Sequence, residues 1–142
     1  MHPSLELQNR EWFDFDVAVM SMALHHVEEP IDMLSRLRER LRSGGSLVLV
    51  EWLNDGAGPF GSANQQQASA DSDGPGQMIE AHGGQKVFPG LSAEFLRHAL
   101  QTAGFKEVDV RVPGLTFDFP ESVVGPFEKA EKKFVFAKGI AP

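Results

Sequence analysis

Phe13 to Trp52 reads FDFDVAVMSMALHHVEEPIDMLSRLRERLRSGGSLVLVEW, and the way this stretch divides decides the fold. Its first part, Phe13 to Met22, is an apolar run rich in β-branched and aromatic residues with no alternation of faces. That predicts a strand buried on both sides, the kind found in parallel sheets. Pro30 sits where a first helical turn tolerates it, with Glu28, Glu29 and Asp32 at the positive end of the helix dipole. Arg36, Arg38, Arg40 and Arg42 fall toward the negative end, and Ile31, Leu34, Leu37 and Leu41 recur at helical spacing to give one packing face. Gly44-Gly45 is expected to stop this helix, with Ser46 to Trp52 (SLVLVEW) forming the next buried strand. Strand, helix and strand in this order make a right-handed crossover unit.

Downstream, Asn54 to Gln77 is Gly, Ser, Ala, Gln, Asp and Pro with Phe60 as its only large apolar residue. Such a segment buries too little to offset its ordering entropy, so 54–85 is expected to be a flexible loop. Ser92 is placed to cap a helix carrying Phe95, Leu96, Ala99, Leu100 and Ala103 on one side, with Gly104 as its stop. Phe105 to Val112 alternates, with Val108, Val110 and Val112 on one face, which predicts a strand near a sheet edge. A loop containing Pro113, Pro120 and Pro126 leads to a last short strand, Lys133 to Ala137.

The chain has 142 residues, 13 Lys and Arg against 20 Asp and Glu, a formal charge of −7 and no cysteine. One domain over 1–142 is expected at that length. The missing thiols exclude a disulfide framework, a thiolate metal site and a cysteine nucleophile. The acidic balance argues against a nucleic-acid partner, because phosphate binding needs a basic face. The N-terminus shows no basic region followed by an apolar core, and no apolar stretch reaches spanning length, so no membrane partner and a cytoplasmic location are expected.

Read in order, the Asp-bearing strand, the Leu-His-His-Val turn, the helix, the Gly-Gly pair and the second strand closely resemble the fourth to fifth strands of class I S-adenosylmethionine-dependent methyltransferases. LSAEFLRHALQTAGFKEVDV and the later KFVFAKG are similar to that family's last helix, sixth strand and antiparallel seventh strand. The resemblance implies a partial Rossmann-like α/β fold of about four strands, near residues 15–21, 46–52, 105–112 and 133–138. Their spatial order is first, second, fourth, third, with the last strand antiparallel. The family's Gly-rich turn and ribose-binding acid, which lie upstream of this segment, have no counterpart among Met1 to Trp12. The chain therefore resembles a C-terminal half, expected to bind S-adenosyl-L-methionine weakly or not at all by itself. It also leaves the first strand unpaired along one flank, so a second copy or a protein partner is expected to cover the 15–21 edge.

Ser21 to Val27 falls at the carboxyl end of the first strand, where open α/β sheets bind ligands. The resemblance places Ser21, Met22, Ala23 and Leu24 beside the cofactor. His25 or His26 becomes the general base for a small-molecule oxygen, nitrogen or carbon acceptor, since imidazole titrates near neutral pH. Against this stands a purely structural role, in which the histidines cap the turn. Adjacent histidines do not share a helix face as an HExxH pair does, so no metal site is assigned. Glu51, ending the second strand, reads as meeting solvent or a backbone amide. His82 reads as a solvated loop residue, and His2 and His98 have no context. Asp14, Asp16, Glu28 and Glu29 suit a strand start and a helix N-terminus and receive no chemistry. Neither Gly44-Gly45 nor Gly83-Gly84 sits in a phosphate-loop frame. A methyltransferase-like protein acting on a small molecule is the leading expectation. The alternative is a non-catalytic binding or scaffold protein that associates through its sheet edge.

Overall fold

Val17, Val19 and their neighbours lack helical spacing and take the extended form, giving strand β1 over Phe15–Ser21. The computed structural model describes residues 5–54, 78–80, 84–118 and 131–142 of the chain. Helix α1 spans Pro30–Arg40, with Pro30 at its start, Asp32 in its first turn and Arg38 and Arg40 in its last. Both ends thus carry charge of the sign the macrodipole favours.

The helix ends short of Gly44, contrary to the spacing of Leu41. Leu41 is already extended, opens β2 (Leu41–Trp52), pairs with Phe15 and buries its side chain in the core. Arg42, expected on the helix, instead holds Asp16 across the strand pair at 2.5 Å. The two glycines shape this bend. Gly44 has a φ of +77°, and a Cβ on Gly45 would lie 2.9 Å from the carbonyl oxygens of both Phe15 and Arg42.

Helix α2 covers Ala93–Thr102. Ser92 Oγ accepts a hydrogen bond from Phe95 N at 3.0 Å, the expected cap, and the chain leaves the helix through Gly104 at a φ of +92°. Short strands β3 (Ile79–Glu80) and β4 (Lys86–Val87) pair antiparallel. Strands β5 (Lys106–Arg111), β6 (Thr116–Asp118) and β7 (Glu131–Ile140) complete the elements. The last strand is longer than expected, and β6 lies inside the stretch read as loop. The predicted loop over 54–85 falls largely outside the described residues, as do Pro120, Pro126, His2 and His82. Within that stretch, Ile79 and Glu80 take part in the β3–β4 ribbon.

Among the described residues the main sheet runs β1-β2-β7-β5, with β6 also on β7. β1 and β2 are parallel, and β7 runs antiparallel to β2, β5 and β6. This is the expected order, with the last strand reversed and β5 at the rim. The architecture is a partial Rossmann-like α/β fold.

Both helices pack on one face of the sheet. Leu34 of α1 and Phe95, Leu96, Ala99 and Leu100 of α2 join Leu47, Leu49, Val135 and Ala137 in one core cluster. Each Leu, Val and Phe among them contributes about 1.5–3 kcal/mol by leaving water. The opposite face is bare among the described residues, which corrects the expectation that β1 is buried on both sides. Val17 and Val19 are 55% and 66% exposed, and Phe136 is 40% exposed. No helix among the described residues is long and apolar enough to cross a membrane.

Candidate functional site

Parallel pairing of β1 with β2 brings their carboxyl ends side by side, with Ser21 opposite Val50. The residue after each strand end therefore faces the same crevice. Just past β1, Met22 turns into the left-handed region at a φ of 53° while its N–H donates to Val50 O at 2.8 Å. That reversal starts a short 3-10 turn, Leu24–His26, and aims its first amides back at the end of β2.

Glu51 receives them. Its Oε1 accepts from Ala23 N at 3.0 Å and from Leu24 N at 2.6 Å, and its Oε2 lies 2.7 Å from His25 Nδ1. The carboxylate is fully buried and His25 is 8% exposed. Removing a carboxylate from water is costly unless its lone pairs are used, and these contacts use them on both oxygens. Because a carboxylate only accepts, Nδ1 of His25 is the nitrogen that carries a proton toward Glu51, and in the neutral ring that leaves the lone pair on Nε2. The backbone closes over the pair from another side: Phe88 N donates to His25 O at 2.8 Å, and Leu91 N donates to Trp52 O at 2.8 Å.

His26 is exposed, with its ring centroid 4.1 Å from that of His25. Its pKa lies below the ordinary histidine value of 6.5. Partial burial is the main cause and the neighbouring His25 the second, while Glu51 pulls the other way. Of the residues expected beside a cofactor, Ser21 is exposed and Met22 and Ala23 are half-buried. Leu24 is fully buried in the core. His98 stands apart on α2, 3.4 Å from Thr102 Oγ1, and Glu28 and Glu29 are exposed. Among the described residues no cluster of three or more His, Asp or Glu side chains is placed to hold a metal ion.

Glu51 is the site residue that sequence reasoning undervalued. An amide partner was foreseen for it, but not its complete burial or its bond to His25. The available signal was topological: a polar residue near the end of one strand and another in the turn just past its parallel neighbour in one crossover unit lie at the same end of the sheet, however far apart in sequence.

Residues 3–110 match the sequence profile of a family described as a methyltransferase domain. Among curated proteins the chain is 28% identical over 107 residues to the lovastatin diketide synthase MokB of Monascus pilosus, covering 75% of this chain and 4% of that protein. Among solved structures it is similar to an S-adenosylmethionine-dependent methyltransferase from Thermotoga maritima. There the TM-score is 0.54 and the identity 22%, over 94% of this chain and 60% of that one. It is also similar to phosphoethanolamine N-methyltransferase 2 of Haemonchus contortus, solved with S-adenosyl-L-methionine. That match has a TM-score of 0.54 and 12% identity, over 90% of this chain and 33% of that one. The chain thus spans less than two-thirds of each of these relatives.

Proposed function

The chain belongs to the methyltransferase-domain family, and on that premise we propose that it forms the acceptor side of a methyl-transfer site for a small molecule, with His25 as the base. By resemblance the cofactor is S-adenosyl-L-methionine. The observation that carries the reading is the buried carboxylate of Glu51, bonded at once to the Ala23 and Leu24 amides and to His25 Nδ1.

A nucleophilic oxygen, nitrogen or carbon must lose a proton as it gains a methyl group. His25 Nε2 is the group on this chain suited to take it, because Glu51 fixes the ring's tautomer and stabilises the imidazolium that forms. His26, held neutral by its lowered pKa, is the second candidate. S-adenosyl-L-methionine, when bound, supplies an electrophilic methyl on a sulfonium. Ser21, Met22 and Ala23 fit one wall of its site: a hydroxyl and two partly exposed apolar side chains at the carboxyl end of a sheet strand. The Ala23 and Leu24 amides are engaged by Glu51, so these two amides are not free to bind the cofactor. Among the described residues β1 pairs only with β2, which supports a partner-dependent protein, with a second copy or a protein partner covering the Phe15–Ser21 edge.

Product formation with phenol, amine and activated-methylene acceptors tests this reading. The last class is included because one relative is a diketide synthase. His25→Ala is expected to lower turnover about 10²–10⁴-fold, and unchanged turnover in both His25→Ala and His26→Ala would refute it. The alternative, a non-catalytic binding protein that associates through β1, is favoured by the edge of that strand that stays unpaired among the described residues. It requires that no acceptor be methylated while the association persists.

A further inference from the structure

The sheet face turned away from the helices carries a group of aromatic rings at the carboxyl end of β2. Glu51, Val135 and Ala137 are buried on the helix side, so alternation sends Trp52 of β2 and Phe134 and Phe136 of β7 to the other side. In the register Trp52 lies opposite Phe134 and Val50 opposite Phe136, while Phe117 of β6 lies opposite Lys132 of β7. The Trp52 and Phe134 rings stack at 4.8 Å with 17° between their planes. Phe117 meets Phe134 edge-on at 4.8 Å, and the Phe136 ring stands 6.5 Å from that of Phe134.

These rings remain accessible. Phe117 and Phe136 are 44% and 40% exposed, and Trp52 and Phe134 are half-buried. Stacked and edge-on pairs fix one another's orientation, so the group presents ring surfaces already ordered, with little side-chain freedom to lose when a ligand arrives. It also lies near the candidate base. Trp52 directly follows Glu51, whose carboxylate meets His25, and consecutive Cα atoms are about 3.8 Å apart. Val50 has Ser21 on one side and Phe136 on the other, so β2 alone separates the rings from the crevice past β1. Cations border the group. Lys132 Nζ is 5.8 Å from the Trp52 ring centroid, Lys138 follows Phe136 on the same face of β7, and Arg111, bonded to Asp109 at 2.8 Å, lies opposite Phe136.

Resting on the methyl-transfer reading above, we propose that these rings form the acceptor subsite and that the acceptor is a phenol. A planar ring gains oriented contacts with Trp52, Phe117 and Phe136 that a saturated chain of equal area does not. The bordering cations repel a protonated amine and favour an oxygen that takes on negative charge as it reacts. An aryl hydroxyl meets both conditions. It gives its proton to His25 Nε2 and its lone pair to the methyl carbon, and the electron pair of the broken carbon–sulfur bond stays with the sulfur of the spent S-adenosyl-L-methionine. Amines and activated methylenes are then the poorer acceptors, and the rings on β2, β6 and β7 set that preference.

The sequence holds two tryptophans, Trp12 and Trp52, so in a Trp12→Phe background one indole N–H signal reports the ring group by NMR. The probes are 4-ethylphenol, its saturated counterpart 4-ethylcyclohexanol and the cationic 4-ethylbenzylamine. The phenol is expected to move the Trp52 signal saturably, with the other two binding about three- to tenfold more weakly. Phe117→Leu and Phe136→Leu, which keep apolar bulk but remove a ring, weaken the phenol by about the same factor and leave 4-ethylcyclohexanol unchanged. Val17→Thr, on the same face near the start of β1, changes neither. Urea midpoints verify that the variants fold, and should Phe136→Leu fail, Phe117→Leu on the short β6 decides. Equal binding of the saturated alcohol, or undiminished phenol binding in the folded ring variants, overturns the proposal. So does a doubled mass with a concentration-dependent indole shift that excludes the phenol, since a second copy then covers the rings. Product analysis with S-adenosyl-L-methionine separates the two readings. Phenol binding at the rings without methylation of any acceptor leaves the ring site standing and defeats the methyl-transfer reading. Methylation of an amine or activated methylene, with 4-ethylphenol untouched and the ring variants fully active, defeats the phenol subsite alone.

Discussion

Replacing Glu51 by alanine removes the acceptor of three donors at once: Ala23 N, Leu24 N and His25 Nδ1. A buried donor left without a partner costs about 1–3 kcal/mol, which bounds the loss at roughly 3–9 kcal/mol. Ala23 is only half-buried and water can rehydrate its amide, so the expected loss lies in the lower part of that range, about 3–5 kcal/mol. Against a total stability of about 5–15 kcal/mol this is large. In urea, with a slope of about 1–3 kcal/mol per molar, the unfolding midpoint drops by about 2 M. Glu51→Gln separates stability from chemistry. Its amide oxygen can still accept from Ala23 and Leu24, while its NH₂ group faces His25 Nδ1 and donates. That forces the histidine proton onto Nε2, at a cost of only about 1–2 kcal/mol. Nitrogen-15 shifts of the His25 ring report the tautomer directly, without needing turnover. An alanine variant that loses less than about 1 kcal/mol, or a glutamine variant whose His25 keeps its proton on Nδ1, would refute the reasoning.

Three further outcomes are expected. By proton NMR, His26 titrates below 6.5, because burial and His25 disfavour its charged form. Since the folded pKa lies below the unfolded one, stability conferred by neutral His26 is intact above 6.5 and is lost as pH falls through the folded value. His25→Ala moves that titration up and Glu51→Gln moves it further down, and a shift in the opposite sense in either variant counts against the assignment. Ser92→Ala deletes the Oγ acceptor of Phe95 N and lowers stability by about 1 kcal/mol in chemical denaturation. Gly45→Ala pushes a methyl to 2.9 Å from two carbonyl oxygens and costs about 1–3 kcal/mol through the strained β1–β2 approach, read as a lower thermal midpoint.

Where local pattern carries the information, the sequence was legible. The α2 cap at Ser92 and its exit at Gly104 are written in neighbouring residues, and the reversed β7 between β2 and β5 followed from a motif order specific enough to name a family. Leu41 was misleading because an apolar residue at helical spacing is equally at home at the start of a buried strand, and only its pairing with Phe15 decides. An unbroken apolar run such as Val17 to Met20 records that side chains avoid water but not which chain supplies the cover. For that reason the bare face could not be distinguished from a two-sided core. His25 stood out by residue type. Its partner Glu51 did not, since their bond joins residues 26 apart and exists only once β1 and β2 lie parallel.

The antiparallel β7 also sets a timetable for making the molecule. It lies between β2 and β5, pairing with residues 46–52 on one side and 106–111 on the other, yet it is synthesised after both. Until residues 131–140 leave the ribosome, β2 and β5 each present an open inner rim with nothing between them. Contacts this distant in sequence form slowly, so the nascent chain passes through a period with two adhesive strands awaiting their wedge. A brief chaperone hold during that interval would protect it, and a sequence change that delays the arrival of β7 would raise aggregation during synthesis without altering a contact in the finished fold.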